Sequence, residues 1–296
     1  MNLPLVSIYM PTYNRLTLLK RAINSVIEQS YKNIELIVVN DGSSDNTREY
    51  LDSIASESIK IFHHESSKGA CRARNLAIEN AKGEFITGLD DDDYLEKKHI
   101  EILYNTYVSN DGIQGVFSNI VLHKSIGKIY CKKKSVVTLS DLRISNYVGN
   151  QIFTTPKLLI NSGLFDTDMP AWQDYELWFR ILAKHKGVYI NTNIASYIQD
   201  ESHLLGRISG DYQKIFSAFE HFSDKYIDND NDNDKKILKL NVYYYQFPQF
   251  KMRLIDFIRY IFISKGDLRI ISKVVQIYLP RPTAYLKRSL LFWGWS

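Results

Sequence analysis

The amino-terminal part of the chain alternates between short apolar runs and longer stretches in which apolar residues recur every three or four positions. Short apolar runs bounded by turn residues predict buried β-strands, and the periodic stretches predict amphipathic α-helices. The predicted strands span residues 5–10, 34–39, 59–62 and 85–89. The predicted helices span residues 16–29, 47–55 and 70–81. This alternation favours an α/β fold with a Rossmann-like, mostly parallel sheet and helices on both faces.

The middle of the chain is less regular. Further strands are predicted over residues 115–123, 128–137, 151–155 and 195–199, and a short helix over residues 139–145. A longer helix is predicted from Trp172 onward, because Trp178, Ile181 and Leu182 recur at helical spacing. We expect an α/β domain over residues 1–205 and a helical carboxyl-terminal region over residues 206–296.

Charge is distributed unevenly along the chain. Residues 235–296 contain 12 Lys and Arg residues against Asp256 and Asp267, a net charge of +10, which leaves −6 for residues 1–234. Cations of the basic part include Lys251, Arg253, Arg259, Lys265, Arg269, Lys273, Lys287 and Arg288. Apolar residues beside them include Leu254, Phe257, Ile258, Ile261, Phe262, Phe292, Trp293 and Trp295.

Basic helices with an apolar face are typical of proteins that lie on an anionic membrane surface. The alternative is that these helices pack on the first domain and their cations face water. No recognisable nucleic-acid-binding module accompanies the cations, so we expect no nucleic-acid partner.

Several features of the chain indicate the cytoplasm. Cys71 and Cys131 form no metal-ligand or redox spacing, and a single pair in 296 residues does not indicate a secreted disulfide scaffold. The amino terminus lacks the basic stretch and cleavage site of a signal peptide, and no uninterrupted apolar run reaches the roughly 18 residues of a spanning helix.

Charged side chains follow the predicted strands at the points where ligands gather in parallel sheets. Asp41 follows the second strand, and Asp90, Asp91, Asp92 and Asp93 follow the fourth. Adjacent carboxylates repel one another and need cations, backbone N–H groups or a divalent metal beside them. Their hard oxygen atoms suit Mn2+ or Mg2+, which commonly bridge a carboxylate to a phosphate. The alternative is a solvated acidic loop that caps the next helix.

Other nucleotide-binding classes are disfavoured. The first strand is followed by no Gly-rich dinucleotide fingerprint, and the chain contains no phosphate loop that ends in Gly-Lys-Ser or Gly-Lys-Thr. These absences disfavour a dehydrogenase and a P-loop ATPase.

A further carboxylate lies in the first turn of the helix predicted after Trp172. Asp174 there is close to the positive end of the helix dipole, which helps to keep it ionised. An ionised aspartate beside a sugar or nucleotide pocket is a candidate general base. The alternative is an ordinary helix-terminal carboxylate, with Trp172 and Trp178 in the core.

Five segments occur in an order that resembles the inverting glycosyltransferases of family 2, which have the nucleotide-sugar-binding GT-A fold. They are PTYNR (11–15), NDGSSDNT (40–47), GACRARN (69–75), LDDDD (89–93) and WQDYELW (172–178). The resemblance covers roughly residues 4–205.

The resemblance implies a role for each matching residue. It implies a base and ribose pocket formed by Pro11, Thr12, Tyr13 and Arg15, a uracil contact at Asp41, a base or diphosphate contact at Arg74 and an auxiliary contact at Arg72. For the aspartate run it implies a ribose contact at Asp90, a variable position at Asp91, a metal ligand at Asp92 and support for the site or the donor sugar at Asp93. It also implies a general base at Asp174 with acceptor contacts at Trp172 and Gln173, a second metal ligand at His203 and a diphosphate contact at Arg207. Gln173 stands where relatives commonly have an acidic residue.

The function implied is transfer of a hexose, glucose or galactose, from a UDP-sugar with Mn2+ or Mg2+, forming a β-linkage. The implied acceptor is GlcNAc or GalNAc on a lipid diphosphate, in bacterial O-antigen or capsule synthesis at the inner face of the inner membrane. Two alternatives are a soluble or protein-bound acceptor and a non-catalytic nucleotide-sugar-binding assembly module. The sequence predicts no oligomeric state.

Overall fold

A parallel sheet of four strands is formed by residues 6–88. The computed structural model describes residues 3–201, 211–227, 232–246 and 252–278. The strands of this sheet are β1 (Val6–Thr12), β2 (Ile34–Asn40), β3 (Ile59–His63) and β4 (Phe85–Gly88). They lie in the order β3-β2-β1-β4, and all three neighbouring pairs are parallel. The connections between them are the helices α1 (Leu16–Ile27), α2 (Thr47–Ile54) and α3 (Ala70–Glu79).

A second sheet is built mainly from antiparallel pairs. Its strands are β5 (Tyr94–Leu95), β6 (Gly115–Lys124), β7 (Gly127–Cys131), β8 (Val136–Val137) and β9 (Tyr189–Asp200). The order is β5-β9-β6-β7, with β8 beside β9. Among the strand pairs described in this second sheet, only β6–β9 is parallel. The segment predicted as one strand over residues 128–137 is therefore divided between β7 and β8.

Residues 152–154 connect the two sheets. Thr154 exchanges backbone hydrogen bonds with Ile86 of β4, and Phe153 exchanges them with Val116 of β6. The strand predicted over residues 151–155 was wrong, since this segment forms only two isolated bridges. Its apolar residues are buried nonetheless, because they fill the junction between the sheets.

Helices cover both sheets and complete the core. They are α4 (His99–Val108), α5 (Leu139–Leu142), α6 (Pro156–Ser162), α7 (Gln173–His185), α8 (Tyr212–Tyr226), α9 (Asp232–Gln246), α10 (Leu254–Ile263) and α11 (Leu268–Tyr278). Tyr9 of β1, Trp178 of α7 and Phe222 of α8 belong to one buried apolar cluster, so α8 packs into the same core as the first sheet. The α/β architecture with a helical carboxyl-terminal part is confirmed; the boundary predicted at residue 205 lies outside the described residues and stays a prediction.

The carboxyl-terminal helices pack on one another. Leu240, Tyr260 and Val274, from α9, α10 and α11, share a second buried cluster. Lys273, predicted as a surface cation, is only 6% exposed because it is enclosed between α9 and residues 144–145. No helix among the described residues is both long and apolar enough to cross a bilayer.

Candidate active site

A cleft of about 800 Å³ opens where the carboxyl ends of β1, β2 and β4 approach the amino terminus of α7. It brings together most of the residues singled out in the sequence: Pro11, Thr12, Tyr13, Arg15, Asp41, Arg74, Asp90, Asp91, Asp92, Asp93, Trp172, Gln173 and Asp174. The ends of the parallel strands carry residues 11–15, Asp41 and residues 90–93 to one sheet edge. The helices α3 and α7 bring Arg74 and residues 172–174 to the same edge, although up to 163 positions separate these residues in the chain.

One described residue that was predicted for the site is not brought into this cleft. Arg72 is exposed and does not line it. Two positions along an α-helix turn through about 200°, so Arg72 and Arg74 project from different sides of α3. His203 and Arg207 lie outside the described residues and stay predictions.

Asp41 lies at the end of β2 and organises the loop that leads into α3. Its Oδ1 accepts a hydrogen bond from the backbone N–H of Lys68 (2.9 Å), and its Oδ2 accepts from Ser67 Oγ (2.7 Å) and the Gly69 N–H (2.9 Å). His64 Nδ1 lies 2.6 Å from Oδ1. Burial opposes ionisation, but these hydrogen bonds outweigh it and hold the pKa of Asp41 below its ordinary value. Asp41 is therefore a fixed anion at the cleft wall.

Asp90 and Arg74 form a half-buried ion pair in the cleft. Arg74 Nη2 donates to Asp90 Oδ1 (2.8 Å), Arg74 Nη1 donates to Gln173 Oε1 (3.0 Å), and Asn150 donates to Asp90 Oδ2 (3.1 Å). Burial alone would raise the pKa of Asp90, but the charge and hydrogen bond of Arg74 hold it below the ordinary value. Arg74 also lies over the ring of Phe165, 5.4 Å from its centre. This pair links the aspartate run to the amino terminus of α7.

The next two aspartates share one arginine. Arg15 Nη1 lies 3.1 Å from both Asp91 Oδ1 and Asp92 Oδ2, and Thr12 Oγ1 donates to Asp91 Oδ2 (2.8 Å). Asp91 is almost fully buried, and burial raises its pKa to about 6 despite Arg15. The Asp92 side chain is 18% exposed. Asp92 is thus the partly solvated member of this pair.

Asp93 faces into the protein. Tyr197 of β9 donates to its Oδ2 (2.8 Å), and the Asp200 N–H donates to its Oδ1 (3.0 Å). Burial and repulsion from Asp92 and Asp90 raise the pKa of Asp93 well above its ordinary value. Asp93 therefore ties the aspartate run to the second sheet, an attachment that the sequence did not predict.

Asp174 occupies the first turn of α7, as predicted. The residue just before α7 is Trp172. Its φ of 58° lies in the left-handed region that a large side chain seldom adopts. Burial raises the pKa of Asp174 to about 6, opposed by the charge of Arg74 and by backbone N–H groups of the helix start. The carboxylate is consequently poised to accept a proton near neutral pH.

Sequence reasoning missed the loop of residues 145–150 and the lysine beneath it. Asn146 Nδ2 donates to Asp174 Oδ2 (3.2 Å), and Lys133 Nζ donates to the backbone carbonyl of Val148 (2.7 Å). Burial lowers the pKa of Lys133 to about 7. The only available signal was the clustering of Asn and Gly, which predicts a turn but not its partners. Lys133 belongs to a run of three lysines, a pattern typical of an exposed face.

The aspartate run offers oxygen ligands for a divalent metal. No three His, Cys, Asp or Glu side chains converge on one point within the described ranges. Mg2+ and similar ions commonly use one or two carboxylates and complete their coordination with substrate phosphate and water. The partly exposed Asp92 in a cleft large enough for a nucleotide fits that mode of binding.

Comparison with known proteins agrees with this geometry. Residues 7–163 match the family described as glycosyl transferase family 2. The putative colanic acid biosynthesis glycosyl transferase WcaA of Escherichia coli K12 is 33% identical over 258 residues, covering 82% of this chain and 88% of WcaA. The Escherichia coli protein WfgD, a UDP-Glc:alpha-D-GlcNAc-diphosphoundecaprenol beta-1,3-glucosyltransferase, is 35% identical over 190 residues, covering 63% of this chain and 73% of WfgD.

A solved structure shows the shared fold. The S. aureus TarS 1-349 structure in complex with UDP-GlcNAc aligns with a TM-score of 0.62 at 17% identity, over 97% of this chain and 88% of that one. The family match and the relatives show the family, and the structural likeness shows the fold. The chain belongs to glycosyltransferase family 2 and has the GT-A fold.

Proposed function

We propose that this protein transfers glucose or galactose from a UDP-sugar, with inversion, to a hydroxyl of GlcNAc or GalNAc on a lipid diphosphate. The observation that carries the proposal is that Asp174 and the aspartate run share one cleft, linked through Arg74, which contacts both Asp90 and Gln173. In this proposal a donor-binding group and a general base would lie within the reach of one substrate pair.

The donor side of the proposal rests on residues at the ends of β1, β2 and β4. Pro11, Thr12, Tyr13 and Arg15 would surround the base and ribose, Asp41 would contact uracil, and Asp90 would contact the ribose. The Tyr13 side chain supports this role, because it is 48% exposed at the cleft wall and an aromatic ring can stack on a base. Arg74 supplies positive charge close to the diphosphate position.

The transfer itself requires one base. Asp174 would take the proton of the acceptor hydroxyl while that oxygen forms a bond to the anomeric carbon from the face opposite UDP. The bond between the anomeric carbon and the diphosphate oxygen breaks, and its electron pair leaves with UDP. In-line attack of this kind converts an α-linked donor into a β-linked product. Trp172 and Gln173, beside the base, would contact the acceptor sugar.

Asp92 would hold Mn2+ or Mg2+ together with the donor phosphates, and His203 is the proposed second protein ligand. Such an ion, when bound, supplies positive charge to the departing diphosphate. Arg207 is proposed to contact the same diphosphate.

The acceptor and the location are supported by the relative WfgD, whose name specifies a GlcNAc-diphosphoundecaprenol acceptor.

A surface on α10 and α11 suits a membrane-bound substrate. Its apolar side chains are exposed: Leu254 58%, Ile255 50%, Ile258 41%, Phe262 79% and Leu268 74%. Arg253 precedes α10 and Arg259 lies within it; both side chains are largely exposed, and both form ion pairs with Asp256. We propose that this surface docks on anionic lipids at the inner face of the inner membrane; the aromatic tail residues lie outside the described residues.

A donor screen tests the proposal. The purified protein is incubated with Mn2+ or Mg2+, with each common UDP-, GDP- and dTDP-sugar, and with a synthetic GlcNAc- or GalNAc-diphosphate-lipid. We expect transfer from one UDP-sugar, abolished by EDTA and restored by Mn2+, with a β-linked product. Slow hydrolysis of a UDP-sugar without extension of any lipid would overturn the acceptor, and binding of no UDP-sugar would overturn the donor.

A further inference from the structure

Asn146 connects the candidate base, Asp174, to the loop of residues 145–150, which lines the cleft. Its Nδ2 donates both to Asp174 Oδ2 (3.2 Å) and to the backbone carbonyl of Gly149 (3.1 Å). Its Oδ1 accepts from the N–H groups of Val148 (3.1 Å) and Gly149 (2.9 Å). The amide therefore performs two separable tasks: its oxygen builds the turn, and its nitrogen reaches the base.

The loop that carries Asn146 is held from several sides. Trp178 Nε1 of α7 donates to the Gly149 carbonyl (2.8 Å), and Lys133 Nζ donates to the Val148 carbonyl (2.7 Å). Asn241 of α9 donates to the carbonyl of Ile144 (2.9 Å), just before the loop. Supports from three parts of the fold leave the Asn146 side chain little freedom, so its contact with Asp174 has a defined direction.

The opposite end of the same loop contacts the aspartate run. Asn150 Nδ2 donates to Asp90 Oδ2 (3.1 Å) and lies 3.4 Å from Asp93 Oδ2. One short loop thus contacts both the base and the donor-side carboxylates, which sets their relative position.

We propose that Asn146 is a positioning residue for Asp174, and that its amide nitrogen fixes the rotation of the carboxylate toward the acceptor hydroxyl. The inference rests on the proposed role of Asp174 as the general base. Asn146 does not touch substrate in this proposal; it acts through Asp174, as supporting hydrogen bonds around catalytic groups commonly do.

A hydrogen bond to the ionised carboxylate also favours the ionised form. The other titratable groups that act on Asp174 come from four parts of the fold: Tyr9 on β1, Cys71 and Arg74 on α3, Asp90 after β4, and Lys133 after β7. These groups remain in place when only Asn146 is changed. Loss of its N–H donor therefore raises the pKa of Asp174.

Two substitutions separate the tasks of the amide. Asn146→Asp keeps an oxygen that can accept from the N–H groups of Val148 and Gly149, but it replaces the N–H donor with a second negative charge beside Asp174. Asn146→Ser keeps an oxygen that can accept in the turn and adds no charge. Asn110→Ser is the matched control, because Asn110 is an exposed asparagine just after α4 whose side-chain amide contacts only the backbone carbonyl of Thr106, among the contacts described.

Two measurements are made on each variant. The titration of Asp174 is followed by NMR on protein with 13C-labelled aspartate carboxyl groups. The resonance of Asp174 is assigned as the one that is missing from the spectrum of Asp174→Asn. We expect a higher midpoint in both Asn146 variants and an unchanged midpoint in Asn110→Ser. In the transfer assay we expect kcat to fall roughly tenfold to a hundredfold, with UDP affinity and the unfolding midpoint close to those of the wild type.

The outcomes are distinguishable. Wild-type titration of Asp174 together with wild-type kcat in both Asn146 variants would overturn the positioning role and leave Asn146 as a turn residue. If the wild type transfers no sugar while the Asp174 midpoint still rises in both variants, the proposed function fails and the positioning contact stands.

Discussion

At the residue scale, the carboxylates of the cleft divide into two kinds. Hydrogen-bond donors and, for Asp90, the charge of Arg74 lower the pKa of Asp41 and Asp90, whereas desolvation raises the pKa of Asp91 and of Asp174 to about 6. Fixed anions suit ligand binding, and a carboxylate that titrates near neutrality suits proton transfer.

Replacement of Asp174 tests this division directly. Asp174→Asn removes the proton acceptor and preserves the shape of the side chain, so we expect kcat to fall by about 10²- to 10⁴-fold while UDP affinity stays near that of the wild type. Steady-state kinetics and calorimetric titration with UDP measure the two effects. Asp168→Asn is the control, because Asp168 is an exposed aspartate just before α7 and outside the cleft. Equal rates for Asp174→Asn and the wild type would remove Asp174 as the base.

The pKa of Asp174 predicts a pH dependence. Below about pH 6 the carboxyl group is protonated and cannot accept a proton, so kcat should rise with pH and level off above that value. The pH–rate profile is measured from pH 5 to 8, at donor and acceptor concentrations that remain saturating. A flat profile over this range would contradict a base with the raised pKa.

At the element scale, the turn after β2 determines whether Asp41 can hold the start of α3. Gly42 has φ +76°, and a Cβ there would lie 2.7 Å from the backbone of Ser66 and Ser67. Ser67 is one of the donors to Asp41, so any side chain at position 42 displaces that contact.

Gly42→Ala should therefore destabilise the protein by about 2 kcal/mol or more, through backbone strain and overlap, and weaken UDP binding. Gly112→Ala is the matched control: its φ is +70°, but a Cβ there meets nothing within 4 Å. We expect the control to cost about 1 kcal/mol and to bind UDP normally. Urea unfolding measures the free energy of unfolding, and calorimetry measures the UDP affinity. Equal UDP affinity in the two variants would show that Gly42 has no influence on UDP binding.

At the scale of the whole molecule, the basic carboxyl-terminal part both completes the core and presents an apolar surface. Phe257 and Ile261 pack against the buried cluster of α9–α11, whereas Leu254, Ile258 and Phe262 face outward. The apolar residues of α10 are thus divided between packing and exposure, and docking of the exposed ones on a membrane stays a proposal.

Membrane docking by this surface is tested with Phe262→Ser. We expect the wild type to co-sediment with vesicles that contain phosphatidylglycerol and to bind less as salt rises. Loss of one inserted aromatic side chain should weaken binding about tenfold. Ile126→Ser is the control, because Ile126 is also an exposed apolar residue (67%) but lies in the turn between β6 and β7. Equal vesicle binding by both variants would place the docking surface elsewhere.

Local pattern determined much of this protein. Four strands and three helices follow from apolar periodicity, which reflects the alternation between core and surface that each element must satisfy. The clustering of Asp41 and Asp90–Asp93 followed as well, because residues at the carboxyl ends of parallel strands meet at one edge. Residues 151–155 show the limit, since their burial comes from the junction of two sheets and apolar content alone cannot distinguish a junction from a strand.

Only the tertiary structure decided which charges are paired and which polar residues support the site. Lys133 and Lys273 are buried although their local sequences are typical of exposed lysine, because distant loops and helices enclose them. Asn146 and Asn150 meet Asp174 and Asp90 across 28 and 60 positions of chain. Such contacts depend on how elements pack rather than on neighbouring residues. For that reason the contacts of the loop of residues 145–150 were visible only in the folded protein.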